Sequence, residues 1–268
     1  VQQALADLGD QGGELQARLL TVRAGIRYEV GDSASLEGAL EDLTAATRLL
    51  QEAGDVQAAA RLLNEQAAVW IRMGDPVRAT WLLRESLQIY GQQRQADPRA
   101  AAEWAETQHL LARLPLHVQA RDGQQDEALL RALDHASAAE GVWKQLGATR
   151  ELARVWDTRG NLLLRQGKVH LAGESLRRAA QAQRSLGDVV GMAISMGGLA
   201  EVEAREGRPD VALVLLSDSI ALNREKGSRV GLSYNRRALT RLEEELRPAP
   251  SFTAVVAELN QAEKEAGG

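Results

Sequence analysis

Gly147, Gly167, Gly187, Gly207 and Gly227 stand twenty residues apart without exception. Glycine is the residue a helix uses where the backbone must turn left-handed to stop. Each interval therefore reads as one helix with its turn, and two intervals as a helical hairpin that recurs every forty residues. A hairpin of that size cannot bury its apolar face alone and must stack on neighbours, which predicts an α-solenoid.

The residues between the glycines fall into columns. Ala60, Ala153, Ala193 and Ser233 share one, and Ala67, Gly160 and Ala200 share another. After the mid-hairpin glycines Gly74, Gly167 and Gly207 come Ala79, Ala172 and Ala212, then Leu83, Leu176 and Leu216, then Ser86, Ala179 and Ser219. Small residues at fixed helical positions let two backbones approach closely, and leucines fill the groove between them. Ala39-x3-Leu43-x2-Ala46 repeats the second-helix columns earlier in the chain.

Trp156-x3-Gly160-x2-Leu163, followed by Ala172-x3-Leu176, resembles the tetratricopeptide repeat, whose unit reads W-x2-L-G-x2-Y and then A-x3-F. The twelve-residue step from Gly160 to Ala172 matches the family and recurs from Ala67 to Ala79 and from Ala200 to Ala212. Arg159 and Leu163 replace the family's Leu and Tyr, and the forty-residue unit is longer than the standard ~34. The resemblance implies an all-α, right-handed solenoid of about six helical hairpins with a C-terminal capping helix. It also implies a non-catalytic protein-interaction module, of the long-repeat kind found in scaffolds and in the sensory arms of bacterial regulators.

Composition supports the helical reading and narrows the function. Apolar residues make up 44%, aromatics only 3%, and no stretch of β-branched alternation is visible. A net charge of −5 argues against a nucleic-acid partner. Only four of the 32 basic residues are lysine, so basic patches are arginine patches, and the bias suggests a GC-rich bacterial source. No cysteine is present, which excludes disulfides and thiolate metal sites. No run of ~20 apolar residues and no signal peptide are visible, so a cytoplasmic location without a membrane partner is expected. The chain begins with Val1, as a piece of a longer protein would.

One continuous superhelical domain is expected over residues 1–268: a frayed start at 1–13, hairpins at 14–53, 54–93, 98–146, 147–186 and 187–226, and a last hairpin with its cap at 227–268. That makes twelve helices. Ser33 or Ser35 is expected to cap the second helix, and Asp75-Pro76 and Asp97-Pro98 to open others. Leu114-Pro115-Leu116 should break a helix, with a long turn or bent extension over 117–125. Val230–Leu246 reads as one helix, and Ser251 as the cap of the last.

The search for chemistry finds none. His109, His117, His135 and His170 form no metal-ligand spacing, the glycines follow no strand, and no serine has a base and an orienting acid nearby. No enzyme, cofactor or metal is expected. Trp70, Trp81, Trp104, Trp143, Trp156 and Tyr234 are assigned to packing, Tyr28 and Tyr90 to partly exposed helix ends, and Gly197 and Gly198 to close packing inside a first helix.

In proteins of the resembled family the first helix of each hairpin lines the concave surface. There the sequence offers Arg61, Asn64 and Arg72; then Arg154, Asp157, Asn161 and Arg165; then Glu201 and Arg205; then Arg237 and Arg241, with Arg18 in the earliest unit. Stacked, these would form an arginine-rich stripe suited to a carboxylate-bearing peptide. The competing reading is arginines paired with neighbours such as Asp157 and Glu201. The partner is expected to be another protein or peptide with an acidic segment. A ligand-sensing arm of a bacterial regulator is the alternative, and self-association through an exposed end or through the irregular middle is also open.

Overall fold

The computed structural model describes residues 13–117, 124–247 and 249–267, and every regular element among them is a helix. Residues 1–12 of the expected frayed start at 1–13, and most of the turn at 117–125, lie outside the described residues, and Gly13 already belongs to the first helix. The chain divides into two compact units, residues 1–142 and 143–268.

The first unit holds α1 (Gly13–Val30), α2 (Ser33–Glu52), α3 (Val56–Met73), α4 (Pro76–Gly91), α5 (Pro98–His117) and most of α6 (Gln125–Leu146). Each of α1 to α4 packs on the helix that follows it, and α3 also touches α5. The second unit holds α7 (Thr149–Arg165), α8 (Val169–Ser185), α9 (Val189–Arg205), α10 (Pro209–Glu225), α11 (Arg229–Arg241), the one-turn α12 (Glu243–Leu246) and α13 (Phe252–Gly267). Here α7/α8 and α9/α10 are hairpins, α8 packs on α9, and the first helices α7, α9 and α11 touch in sequence. This is an all-α helical-repeat solenoid.

The glycine ladder does what its spacing requires. All five glycines take φ between 61° and 77°, where a Cβ would be strained. The turns close in the Schellman manner: the N–H of Asp188 donates to Gln183 O at 2.9 Å and that of Gly187 to Arg184 O at 3.1 Å. Asp55, Asp75, Asp188 and Ser228 then cap the next helices through their side chains. The second helix is capped by Asp32 rather than by Ser33 or Ser35. Asp32 Oδ1 accepts from Ser35 N at 2.7 Å, because the aspartate sits one residue ahead of the first turn, where its carboxylate reaches the orphan amide.

The small-residue columns form the core. Ala60, Ala67, Ala79, Ala172, Ala200 and Ala212 are buried, as are Leu83, Leu176 and Leu216. Gly160 shows why its column stays small: a Cβ there would lie 2.5 Å from Leu176 Cγ. Gly198 meets the same leucine, 2.9 Å from Cδ2, whereas Gly197 faces open space and packs against nothing. At the C-terminal end α13 buries Val255, Leu259 and Ala262 against α10 and α11 and leaves Gln261 and Lys264 exposed.

Four local expectations give way. Pro115 does not break α5, which runs to His117; a proline in the last turn removes one hydrogen bond from a helix about to end. The expected helix over 230–246 is split at buried Leu242, whose backbone leaves helical geometry at φ −104° and ψ 15°, so thirteen helices are found among the described residues. Tyr90 is buried, 2% exposed, with its hydroxyl donating to Gln57 O at 2.6 Å. Trp81 is 66% exposed, because it stands on the outer face of α4 rather than over the core.

Candidate interaction face

The first helices of the second unit build a polar face from the backbone outward. On α7, Arg154, Asp157, Asn161 and Arg165 follow at helical spacing, so they share a side. Asn161 Nδ2 donates to Asp157 Oδ2 at 3.2 Å and to its carbonyl at 2.9 Å. Asp157 Oδ1 accepts from Ser195 of α9 at 2.8 Å. Ser195 is fully buried, and Gln183, with its amide nitrogen turned inward, donates to it at 2.9 Å. Asp157 is thus the outer end of a polar chain running from α8 through α9 to α7.

The centre of the face is Glu201. Its side chain is 4% exposed, yet two guanidinium groups reach it: Arg205 Nη2 at 2.6 Å from one turn along α9, and Arg241 from α11. Burying a carboxylate is expensive unless it is paired, and two cations on one anion more than neutralise it. Arg165 adds a third cation to this environment. Burial, and next the like charge of Arg241, push its pKa down, while Glu201 acts in the opposite direction. Arg154 and Arg237 are exposed on the same helices, Arg237 lying 5.7 Å from the Tyr234 ring centroid.

Arg205 also has a structural task. Its Nη1 donates to Leu164 O at 2.8 Å, satisfying a carbonyl in the last turn of α7. Arg72 does the same in the first unit, donating to Tyr28 O of α1 and lying 4.9 Å over the Tyr28 ring. Both arginines stand two residues before a left-handed glycine, and both acceptors stand three residues before one. The column Arg72, Arg165, Arg205 therefore carries a repeat-level device. In two of its three positions an arginine staples the end of one first helix to the end of the one before.

In the first unit the predicted stripe is different in character. Arg61 is exposed, but Asn64 is buried and uses both ends of its amide on Thr107, at 2.9 and 3.0 Å. Around Arg61 stand Glu65 and Glu103. Burial raises the pKa of both carboxyls; the Arg61 charge lowers it, and a neighbouring glutamate raises it again. The structure thus brings Arg165, Arg205 and Arg241 together around Glu201, sets Asp157 and Asn161 beside Ser195, and leaves Arg61, Asn64 and Arg72 in an environment of carboxylates and packing.

Two further features have no signal in the repeat pattern. Asp42 of α2, 3% exposed, accepts from Arg23 at 2.9 and 2.5 Å and from Arg27 at 2.8 Å. Nothing in the repeat columns marks it, because the pairing depends on where α1 lies over α2. On the second-helix side of the same unit, Leu40, Ala45, Trp70 and Met73 floor an open depression rimmed by Glu37, Glu41, Arg48 and Arg78. Arg78 covers the Trp70 ring at 4.3 Å from its centroid.

Among the described residues no group of His, Cys, Asp or Glu is arranged to hold a metal ion, and no helix is long and apolar enough to cross a membrane. Residues 151–225 match the family model of the tetratricopeptide repeat. No curated protein sequence matches the chain. A crystal structure of BtubC (BKLC) from P. vanneervenii is similar in fold, with a TM-score of 0.51 and 14% identity over 97% of this chain and 94% of that one. The class is thus a helical-repeat protein. The match to the tetratricopeptide repeat model falls on the segment that carries α7 to α10. Proteins built from these repeats are in general protein-interaction modules and typically non-catalytic.

Proposed function

We propose that this chain is a non-catalytic interaction module that binds an acidic segment of a partner protein on the first-helix face of its second unit. The observation that carries the reading is the Glu201 cluster: one buried carboxylate faces Arg205 and Arg241, with Arg165 added beside them. A face holding more guanidinium than carboxylate favours a further anion, and arginine suits carboxylate because its planar fork donates two parallel hydrogen bonds. Arg154 and Arg237, exposed on α7 and α11, extend the positive field to either side.

Arg205 and Arg241 orient the cluster, Arg154, Arg165 and Arg237 meet the partner, and Asp157 and Asn161 fix the α7 side through Ser195. Asn64 and Arg72 drop out of the contact set, since Asn64 is buried and Arg72 is held by Tyr28, and exposed Arg61 is set aside because the Glu65 and Glu103 carboxyls stand around it. The test is a peptide-display selection on the purified chain, repeated with Arg154→Glu/Arg165→Glu. Enrichment of Asp- and Glu-rich peptides is expected, with binding at least tenfold weaker, about 1.4 kcal/mol, in the double variant. Equal binding by the two proteins would move the contact surface elsewhere, the depression at Trp70 being the next place to look.

A further inference from the structure

α1 is apolar on two opposite faces. Ala17, Leu20 and Ala24 are buried against the rest of the first unit. On the other side, Leu15 is 51% exposed, Val22 53%, Ile26 56% and Val30 62%. With half-buried Leu19 between them, these five side chains fall within an arc of about 80° at ~100° per residue, a continuous stripe along the whole helix. Scattered exposed apolar residues are ordinary, but a stripe at helical spacing is the pattern of a helix that packs on another helix. At the other end of the chain, α13 presents exposed polar residues such as Gln261 and Lys264 outward.

We infer that this face is a self-association surface, on which a second copy of the chain lays its own α1 antiparallel. Two properties of the stripe select that occupant. First, it is nearly palindromic. About a centre between Val22 and Arg23, Leu15 meets the second copy's Val30 and Leu19 meets the second copy's Ile26, with the two Val22 side chains flanking the axis. Such a match, in which one residue meets another and that one meets the first, is what a two-fold interface requires. Second, the charges beside the stripe complement themselves. Arg18 and Glu29, both exposed, stand on the same flank near opposite ends. A two-fold axis across the helices keeps that flank and reverses its direction, so each Arg18 comes beside the other copy's Glu29. One helix length of seam is smaller than the ~800 Å² per partner of a standard stable interface, so the association is weak, with a micromolar dissociation constant.

The absence of cysteine makes the test direct. Leu15→Cys and Val30→Cys are made singly in the full chain, then mixed at about 100 µM under mild oxidation. The mixed disulfide is expected to form at least tenfold faster than either homodimer, because only the 15–30 pair is apposed across the axis. Sedimentation equilibrium of the unaltered chain should show a concentration-dependent monomer–dimer equilibrium that Val22→Asp abolishes, with the helical circular dichroism of the variant unchanged. Arg18→Glu and Glu29→Arg should each weaken the dimer several-fold, and the double variant should restore it. A chain that stays monomeric at several hundred micromolar overturns the proposal and leaves the stripe to a different protein. Faster homodimer disulfides, or a double variant that fails to recover, overturn the antiparallel register.

Discussion

Asp42 and Glu201 are the same chemical object placed in two regions with different outcomes. Each is a carboxylate about 3% exposed and held by two arginines. Around Asp42 the assembly closes on itself: Arg23 binds in bidentate fashion, and Arg27 divides its donors between the carboxylate and Gly38 O, all within one hairpin. Around Glu201 it stays open: Arg241 arrives from the next first helix with half its side chain in solvent, and Arg165 adds a further charge. A buried ion cluster confined to one hairpin fixes that hairpin. The same cluster spread over successive first helices becomes a charged surface.

The comparison is broken most severely at Asp42. Asp42→Ala leaves two partly buried arginines without their shared anion and is expected to destabilise the first unit by about 3–5 kcal/mol. A urea titration followed by circular dichroism would show it as a shifted transition; an unchanged midpoint would mean that Arg23 and Arg27 simply swing into water. The second unit is more sensitive to packing. Ala172→Leu puts three carbons into a fully buried column beside Gly160 and is expected to cost about 1–3 kcal/mol by the same measurement.

Glu201→Gln sharpens the contrast, since it should act on stability and binding in opposite directions. Arg205 and Arg241 keep a third to a half of their surface in water, so losing the ion pair should cost only about 1 kcal/mol, below the fully buried range. The same change removes the anion that offsets the arginines, so an Asp/Glu-rich peptide should bind several-fold more tightly in fluorescence anisotropy. Weaker binding would show that Glu201 orients the arginines more than it neutralises them.

The smallest expected effect is that of pH on the first unit. The carboxyls of Glu65 and Glu103 titrate above their ordinary 4.5 in the folded chain, chiefly because of burial. The folded state therefore binds these protons more tightly than the unfolded one, and the stability they contribute falls as pH rises from 4.5 through their folded values. Half-buried His135, whose pKa burial lowers, works the other way below its ordinary 6.5. Glu103→Gln should thus raise the melting temperature at pH 7 and lose that advantage near pH 4.5, as calorimetry would detect. An equal gain at both pH values would place the effect in packing.

What could be read in the sequence was whatever the repeat imposes. The glycine turns, the alanine and leucine columns and the aspartate cap at Asp75 obey local rules that each unit restates, so one unit teaches the next. The split at Leu242 and the exposure of Trp81 escaped because they depend on how one particular helix lies against its neighbours. The arginines were legible as a stripe but not as a division of labour. Arg72 and Arg205 share a column with Arg165, and only the positions of the Tyr28 and Leu164 carbonyls distinguish a staple from a proposed contact residue. Glu201 could be read as a possible partner, but its burial could not, because that depends on α11 crossing α9.

The left-handed glycines bear on how such a chain can be edited. The turns at Gly147, Gly187 and Gly227 have the same backbone sign, and the residues that follow them begin equivalent helices. A cut at one of these joints and a cut at the next release a cassette whose two ends are interchangeable. Duplicating residues 147–186 would add a further first helix with its own Arg154, Asn161 and Arg165, and removing it would take them away. The length of the proposed face can therefore change in whole units, as a text grows by clauses rather than by letters.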